Sequence, residues 1–198
     1  MPDKKVRLFV AIDIPNDIRD LISKATAELE ATIIGARWVK PENLHLTLKF
    51  IGYYDPEKME RLTGEVHQAA ERGPGFRVRF GEPGAFPSNK RARVIWIAMA
   101  EGSREAGNVA SKLDARLEKV GVKREGRPFA GHLTLARLKQ PFDSIDYLEN
   151  LGNRLDGLQD MAFDVSEIIL YESILSPKGP TYKPLERMRL GGKQDGDS

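Results

Sequence analysis

His45-Leu46-Thr47-Leu48 and His132-Leu133-Thr134-Leu135 are one tetrad written twice, once in each half of a 198-residue chain. A run of this kind, with β-favouring flanks, reads as a strand, and side chains on a strand alternate between its two faces. His45 and Thr47 therefore share one face, and Leu46 and Leu48 share the other. His132 and Thr134, and Leu133 and Leu135, divide in the same way. The leucines anchor each strand on a core, leaving an imidazole and a hydroxyl on the opposite side. If that side is a cleft between two lobes, it gathers two imidazoles and two hydroxyls.

That set has a definite chemistry. An imidazole titrates near neutrality, so one copy can be neutral while the other is charged, giving a general base and a general acid together. Hydroxyls donate to non-bridging phosphate oxygens and hold an anion in place. In-line displacement at phosphorus needs an acid and a base on opposite sides of the phosphate, and it needs no metal. A lone histidine on a sheet is more often structural than catalytic; its duplication within an identical tetrad reverses that balance. A zinc site is the weaker reading, because two histidines far apart in sequence lack a third ligand. His67, the only other histidine, sits in a polar helical stretch and is assigned no role.

Outward from the tetrads, Val6 to Ile12 reads as a strand. Ile18, Leu21, Ile22, Ala25 and Leu29 then recur at helical spacing behind Pro15. Arg37 to Val39 is a short strand, and Leu44 to Ile51 a longer one that Gly52 ends. Asp55 to Arg72 reads as a helix capped by Asp55. Phe76 to Phe80 alternates as a strand, and Gly81 to Lys90, with Pro83, Gly84 and Pro87, reads as a loop. Val94 to Met99 is a strand, Ser103 to Val120 a helix, Gly126 to Gly131 a loop, and His132 to Leu138 a strand. Ile145 to Leu155 is a helix, Phe163 to Tyr171 one long strand, and Tyr182 to Leu190 the last. The order has no strict βαβα alternation. It predicts an α+β fold with largely antiparallel sheets, and each half repeats a helix, a loop and then the tetrad strand. A single bilobal domain over 1–190 and a disordered tail over 191–198 are expected.

Composition sets the outer limits. Hydrophobic residues are 40% and charged residues 30%, an ordinary balance for a chain with a buried core. The net charge of +2 does not announce a nucleic-acid binder, and the run Lys90, Arg91, Arg93 reads first as a solvated loop. There is no cysteine, which excludes disulfides, thiolate catalysis and zinc–thiolate sites. Val6 to Ile14 is too short and interrupted for a signal sequence, and no run approaches the length of a membrane helix. A cytoplasmic protein without a membrane partner is expected.

Wider stretches carry a family resemblance. Trp38 to Gly52 resembles the first signature of the 2′-5′ RNA ligase family, also described as RNA 2′,3′-cyclic phosphodiesterases, within the two-histidine phosphoesterase superfamily. Arg127 to Arg137 resembles the second signature. Arg7 to Asp13, Phe86-Pro87, Val94 to Trp96 and Ile168 to Leu175 are similar to the family as well. The resemblance implies a two-lobed, pseudo-twofold α+β fold with helices on the outside and a central cleft, and hydrolysis of a terminal RNA 2′,3′-cyclic phosphate to a 2′-phosphomonoester, without cofactor. It implies His45 as proton donor, His132 as proton acceptor, and Thr47 and Thr134 as phosphate-binding residues. It also implies a reverse, ATP-independent 2′-5′ ligation. The spacing alone does not order the two histidines, because the tetrads are identical. RNA ends, with tRNA fragments among them, are the expected partners of a monomeric enzyme.

Arg127 and Phe129, in the loop before His132, are candidate substrate contacts, each balanced against a bland role in a surface salt bridge or in packing. Arg137 falls on the face opposite His132 by strand parity, which sets it away from the phosphate unless a bulge intervenes. Two other readings remain open. One is an RNA-binding module without turnover. The other is the same chemistry acting on cyclic nucleotides or 2′-5′ oligonucleotides.

Overall fold

The computed structural model describes residues 5–30, 32–33, 35–177 and 179–191. Nine strands form one continuous sheet: β1 Val6–Asp13, β2 Ala36–Trp38, β3 His45–Tyr54, β4 Phe76–Phe86, β5 Ala92–Glu101, β6 His132–Phe142, β7 Ala162–Val165, β8 Glu167–Ser176 and β9 Gly179–Arg189. The helices are α1 Asn16–Glu30, α2 Met59–Glu71, α3 Ser103–Leu117 and α4 Ile145–Arg154.

Strand order is β7-β4-β5-β6-β3-β1-β8-β9, with β2 paired to β6, and every pairing is antiparallel. The two tetrad strands, β3 and β6, are neighbours at the centre, and their recorded pairing is Leu46 with Leu133. Around that seam the architecture is pseudo-twofold. One lobe is β3-β1-β8-β9 and the other is β6-β5-β4-β7. Both lobes are antiparallel, as the element order predicts, and both are flanked by helices.

The leucines anchor the strands as expected. Leu46 and Leu133 are 1% and 0% exposed and Leu135 is 1% exposed, inside a core that spans both lobes. Burying one such side chain stabilises by about 1.5–3 kcal/mol. Helix α1 contributes Ile18, Ile22, Ala25 and Leu29 to that core from one stripe. The helices cross between lobes. Helix α1 leaves β1 to pack against α4, and its Ile22 and Thr26 line one cavity with Trp38, Leu44 and Leu135 beside β6. Helix α3 leaves β5 to pack against α2 and β3. The opposite, concave face of the sheet carries a separate small cluster of Phe9, Ala11, Ile169 and Tyr171.

Four elements differ from the sequence reading. Gly52 does not end β3; the strand continues to Tyr54 through a bulge in which Gly52 adopts φ 83°. Gly81 to Phe86 is strand rather than loop, because β4 absorbs Pro83 at a bulge opposite β5, beyond the residues that pair with β7. An amide-less residue is tolerated where no ladder bond is required of it. The expected strand over Phe163 to Tyr171 is two, broken at Ser166. β7 closes one lobe against β4, and β8 joins the other against β1. The Asp55 to Arg72 helix begins as a 3-10 turn over Pro56–Lys58, with the Asp55 carboxylate accepting from the Glu57 amide at 3.1 Å. Residues 192–198 of the expected tail lie outside the described residues.

Candidate active site

Each histidine opens its strand, and each is tied back in the same way. The His45 Nδ1–H donates to the Asn43 carbonyl at 2.7 Å, and the His132 Nδ1–H donates to the Ala130 carbonyl at 2.7 Å. A carbonyl only accepts, so this bond fixes the proton on Nδ1 and leaves Nε2 free to take or give a proton. The carbonyl of Asn43 is held in turn, because the Asn43 side-chain amide donates to the Pro180 carbonyl at 2.9 Å.

The register at the seam sets the rest. With Leu46 opposite Leu133, antiparallel pairing puts His45 opposite Thr134 and Thr47 opposite His132. The two imidazoles stand on one diagonal of a quartet and the two hydroxyls on the other. A diagonal between neighbouring strands spans roughly 7–8 Å, room for a phosphate between two Nε2 atoms.

Matching bulges follow both tetrads. On β3, Val10 pairs with Lys49 and Ala11 with Thr47, so Leu48 is the extra residue. On β6, Ile95 pairs with Ala136 and Trp96 with Thr134, so Leu135 is extra. Each bulge reverses the parity beyond it. Arg137 therefore shares the concave face with His132 and Thr134, correcting the expectation that it points away, and its exposed side chain contrasts with its buried neighbours Ala136 and Leu138. Arg137 is also close enough to disfavour a charge on His45. Phe50 holds the equivalent place on β3 and is 57% exposed. Arg137 and the open Phe50 ring stand on this face from opposite lobes.

Aromatic rings wall both histidines. Tyr182 meets His45 edge-on at 5.1 Å between centroids, and Phe9 lies 4.9 Å from it. Phe86 meets His132 edge-on at 5.2 Å, with Trp96 at 6.3 Å. Gly84 makes the second wall possible. A Cβ there would lie 2.4 Å from the Trp96 ring, so the indole fits only over a glycine. The symmetry fails at one position. Asp13 pairs with His45 across β1 and β3, whereas Ala98 pairs with His132 across β5 and β6. Burial holds the His45 pKa below the ordinary histidine value; the Asn43 carbonyl and the Asp13 carboxylate oppose this, and Arg137 and Arg19 add to it. Asp13 is itself held by Arg19 at 2.7 Å and by the Ile14 amide at 3.0 Å.

The structure thus gathers His45, Thr47, His132 and Thr134 on one face. Arg127 is exposed, without an ion-pair partner among the described residues. Phe129 is half-buried against the core beside Gly107 of α3, which is packing rather than display. His67 lies on α2, 3.6 Å from Glu186. Strand parity missed Phe50 and Arg137; the signal available was two strands of repeated sequence with equal spacing from tetrad to Phe50 and to Arg137.

Comparison with known proteins follows this geometry. The model of the LigT like Phosphoesterase family matches the chain twice, over residues 12–96 and 97–182, so each half carries one tetrad. A protein of Methanothermobacter thermautotrophicus named RNA 2′,3′-cyclic phosphodiesterase is 33% identical over 94% of this chain and 100% of its own length. One of the same name from Archaeoglobus fulgidus is 34% identical over 91% and 98%. The crystal structure of E. coli LigT complexed with 3′-AMP superposes with a TM-score of 0.74 at 29% identity, covering 96% of this chain and all of that one.

Proposed function

The chain belongs to the LigT-like phosphoesterase family, and from that premise we propose that it is an RNA 2′,3′-cyclic phosphodiesterase that yields a 2′-phosphomonoester. The observation that carries the mechanism is the matched pair of imidazoles, each with Nδ1 tied to a backbone carbonyl two residues upstream and Nε2 left free on the same concave face. His132 takes a proton from water, whose oxygen attacks phosphorus. The bond from phosphorus to O3′ breaks in line, and His45 gives that oxygen its proton. Thr47 and Thr134 donate to the non-bridging oxygens, and the Arg137 guanidinium meets the negative charge that grows on them.

The break in symmetry supports this order of roles. The carboxylate of Asp13 favours a proton on His45, and Ala98 offers His132 nothing comparable. Burial keeps His45 below its ordinary pKa in the free protein, and an arriving phosphate anion supplies the charge that favours its protonation. The open Phe50 ring provides a stacking surface for the terminal base. With a 5′-hydroxyl in place of water as nucleophile, the same displacement of O3′ gives a 2′-5′ linkage without ATP. Both imidazoles come from one chain, which supports action as a monomer.

The test is turnover of an RNA ending in a 2′,3′-cyclic phosphate, with product ends identified. His45→Ala and His132→Ala are each expected to lose about 10²–10⁴-fold in kcat while still binding product, and chelator is expected to leave turnover unchanged. Wild-type protein that binds such ends without converting them would instead establish a binding module.

A further inference from the structure

Two bulges within one strand line up more than the reaction needs. From His45 the spacing along β3 runs two residues to Thr47, three to Phe50 and three to Tyr53. An unbroken strand would turn Phe50 and Tyr53 to opposite faces. The bulge at Leu48 turns Phe50 onto the concave face. A second bulge at Ile51, where Phe9 pairs with Phe50 and Leu8 with Gly52, turns Tyr53 onto it as well. The opposite parity confirms the placement: Tyr54 is buried in the core and donates its hydroxyl to the Val120 carbonyl at 3.1 Å. Tyr53 is 64% exposed, and it sits beside Phe50, beyond the quartet.

Its cross-strand neighbour is basic. Arg7 pairs with Tyr53 across β1 and β3 and lies on the same face, its guanidinium donating to the Ser173 hydroxyl at 3.3 Å. Beside Phe50 a groove of about 360 Å³ opens between β3 and the segment before His132, lined by Lys123, Arg124 and Glu125, with Arg124 paired to Glu118 at 3.2 Å. This groove is a second break in the pseudo-symmetry. In the other lobe the segment before His45 is strand β2, which closes the flank of β6. In this lobe the equivalent segment does not pair along β3, although the buried Lys49 reaches across to the Lys123 carbonyl at 2.7 Å and to Asp114.

Resting on the phosphodiesterase reading above, we propose that Tyr53 and Arg7 form a subsite for the nucleotide preceding the cyclic end, with the Tyr53 ring under its base and Arg7 at its phosphate. Single-stranded RNA is bound by open rings on a sheet with cations alongside, and both are continuous here with the catalytic quartet. From Phe9 to Arg7 the sheet advances two residues, about 7 Å, so the second ring follows the first along one extended path. The subsite makes the enzyme select chains over mononucleotides.

The experiment compares kcat/KM for a trinucleotide ending in a 2′,3′-cyclic phosphate with that for adenosine 2′,3′-cyclic monophosphate. Wild-type protein is expected to prefer the trinucleotide. Tyr53→Ala is expected to lower that preference roughly tenfold, the worth of one stacked base, and Tyr53→Phe to retain it. Calorimetric affinity for a trinucleotide 2′-phosphate should fall in step, and Arg7→Gln should reduce its salt dependence. Equal preference in wild type and Tyr53→Ala overturns the subsite while the phosphodiesterase reading stands. Hydrolysis of neither substrate by wild-type protein overturns both.

Discussion

Replacing Gly84 with alanine tests how the His132 side of the site is held. A Cβ at position 84 would lie 2.4 Å from Cη2 and 2.6 Å from Cζ2 of Trp96. Carbon atoms in contact rest about 3.5–4.0 Å apart, so the indole must retreat by about 1 Å. It has little room to do so. Phe86 lies on it at 4.9 Å, and Trp96 pairs with Thr134 across β5 and β6, beside His132. Overpacking of this kind costs about 1–3 kcal/mol, which in a chain of this size is a fall in Tm of about 2–12 °C. A shift of about 1 Å at a positioned catalytic group costs up to roughly 100-fold in rate, so kcat is expected to fall about 10–100-fold. Differential scanning calorimetry and steady-state hydrolysis of a cyclic phosphate measure the two effects. Trp96→Leu, which removes the crowded ring atoms, should recover much of the Tm in the Gly84→Ala background and give a double-mutant coupling of favourable sign. A Gly84→Ala protein with wild-type Tm and wild-type kcat would refute the reasoning, because the clash would then relax without touching the site.

Arg137→Ala should lose about 10²–10³-fold in kcat, the worth of one strong donor to a developing oxyanion, and Arg137→Lys should recover only part of it for want of the planar fork. A loss under twofold would return Arg137 to the surface. Asp13→Asn removes a carboxylate that raises the proton affinity of His45, so the His45 pKa drops further below its ordinary value. If His45 is the acid, the alkaline limb of kcat/KM against pH then moves to lower pH; an unmoved limb would separate Asp13 from the acid. A thermal melt accompanies that profile, because Asp13 also holds Arg19 and the Ile14 amide.

The two tetrads made the fold class, the lobed symmetry and the shared face of four candidate site residues legible, since strand parity inside a tetrad is set by its own pattern. Parity fails where the backbone inserts a residue, and both tetrads run directly into bulges at Leu48 and Leu135. Arg137 and Phe50 were therefore misplaced or passed over, although each stands the same distance from its histidine. The break between β7 and β8 was illegible for a different reason. Phe163 and Val165 precede Ser166 and Ile168 to Tyr171 follow it, and nothing in so β-favouring a run says that its two parts serve different lobes. Pro83 and Gly84 spelled a loop by composition, yet one lies at a bulge and the other leaves space for a tryptophan from the next strand. Phe129 shows the limit in the other direction, because a loop aromatic gives no sign in sequence of whether it is displayed or, as here, packed on a helix.

The crossing of α1 and α3 has a consequence for how such a protein can be taken apart. The chain repeats itself as 12–96 and 97–182, yet neither repeat owns a lobe. β8, from the second repeat, and β9, which runs on past residue 182, complete the lobe of β1 and β3, and α1, from the first, packs with α4 of the second. A gene split at its midpoint would encode two fragments, each with a raw apolar face and half a sheet, that recover their structure only by associating. Two co-expressed half-genes, each supplying one histidine, would then behave as an obligate heterodimer with a single shared site.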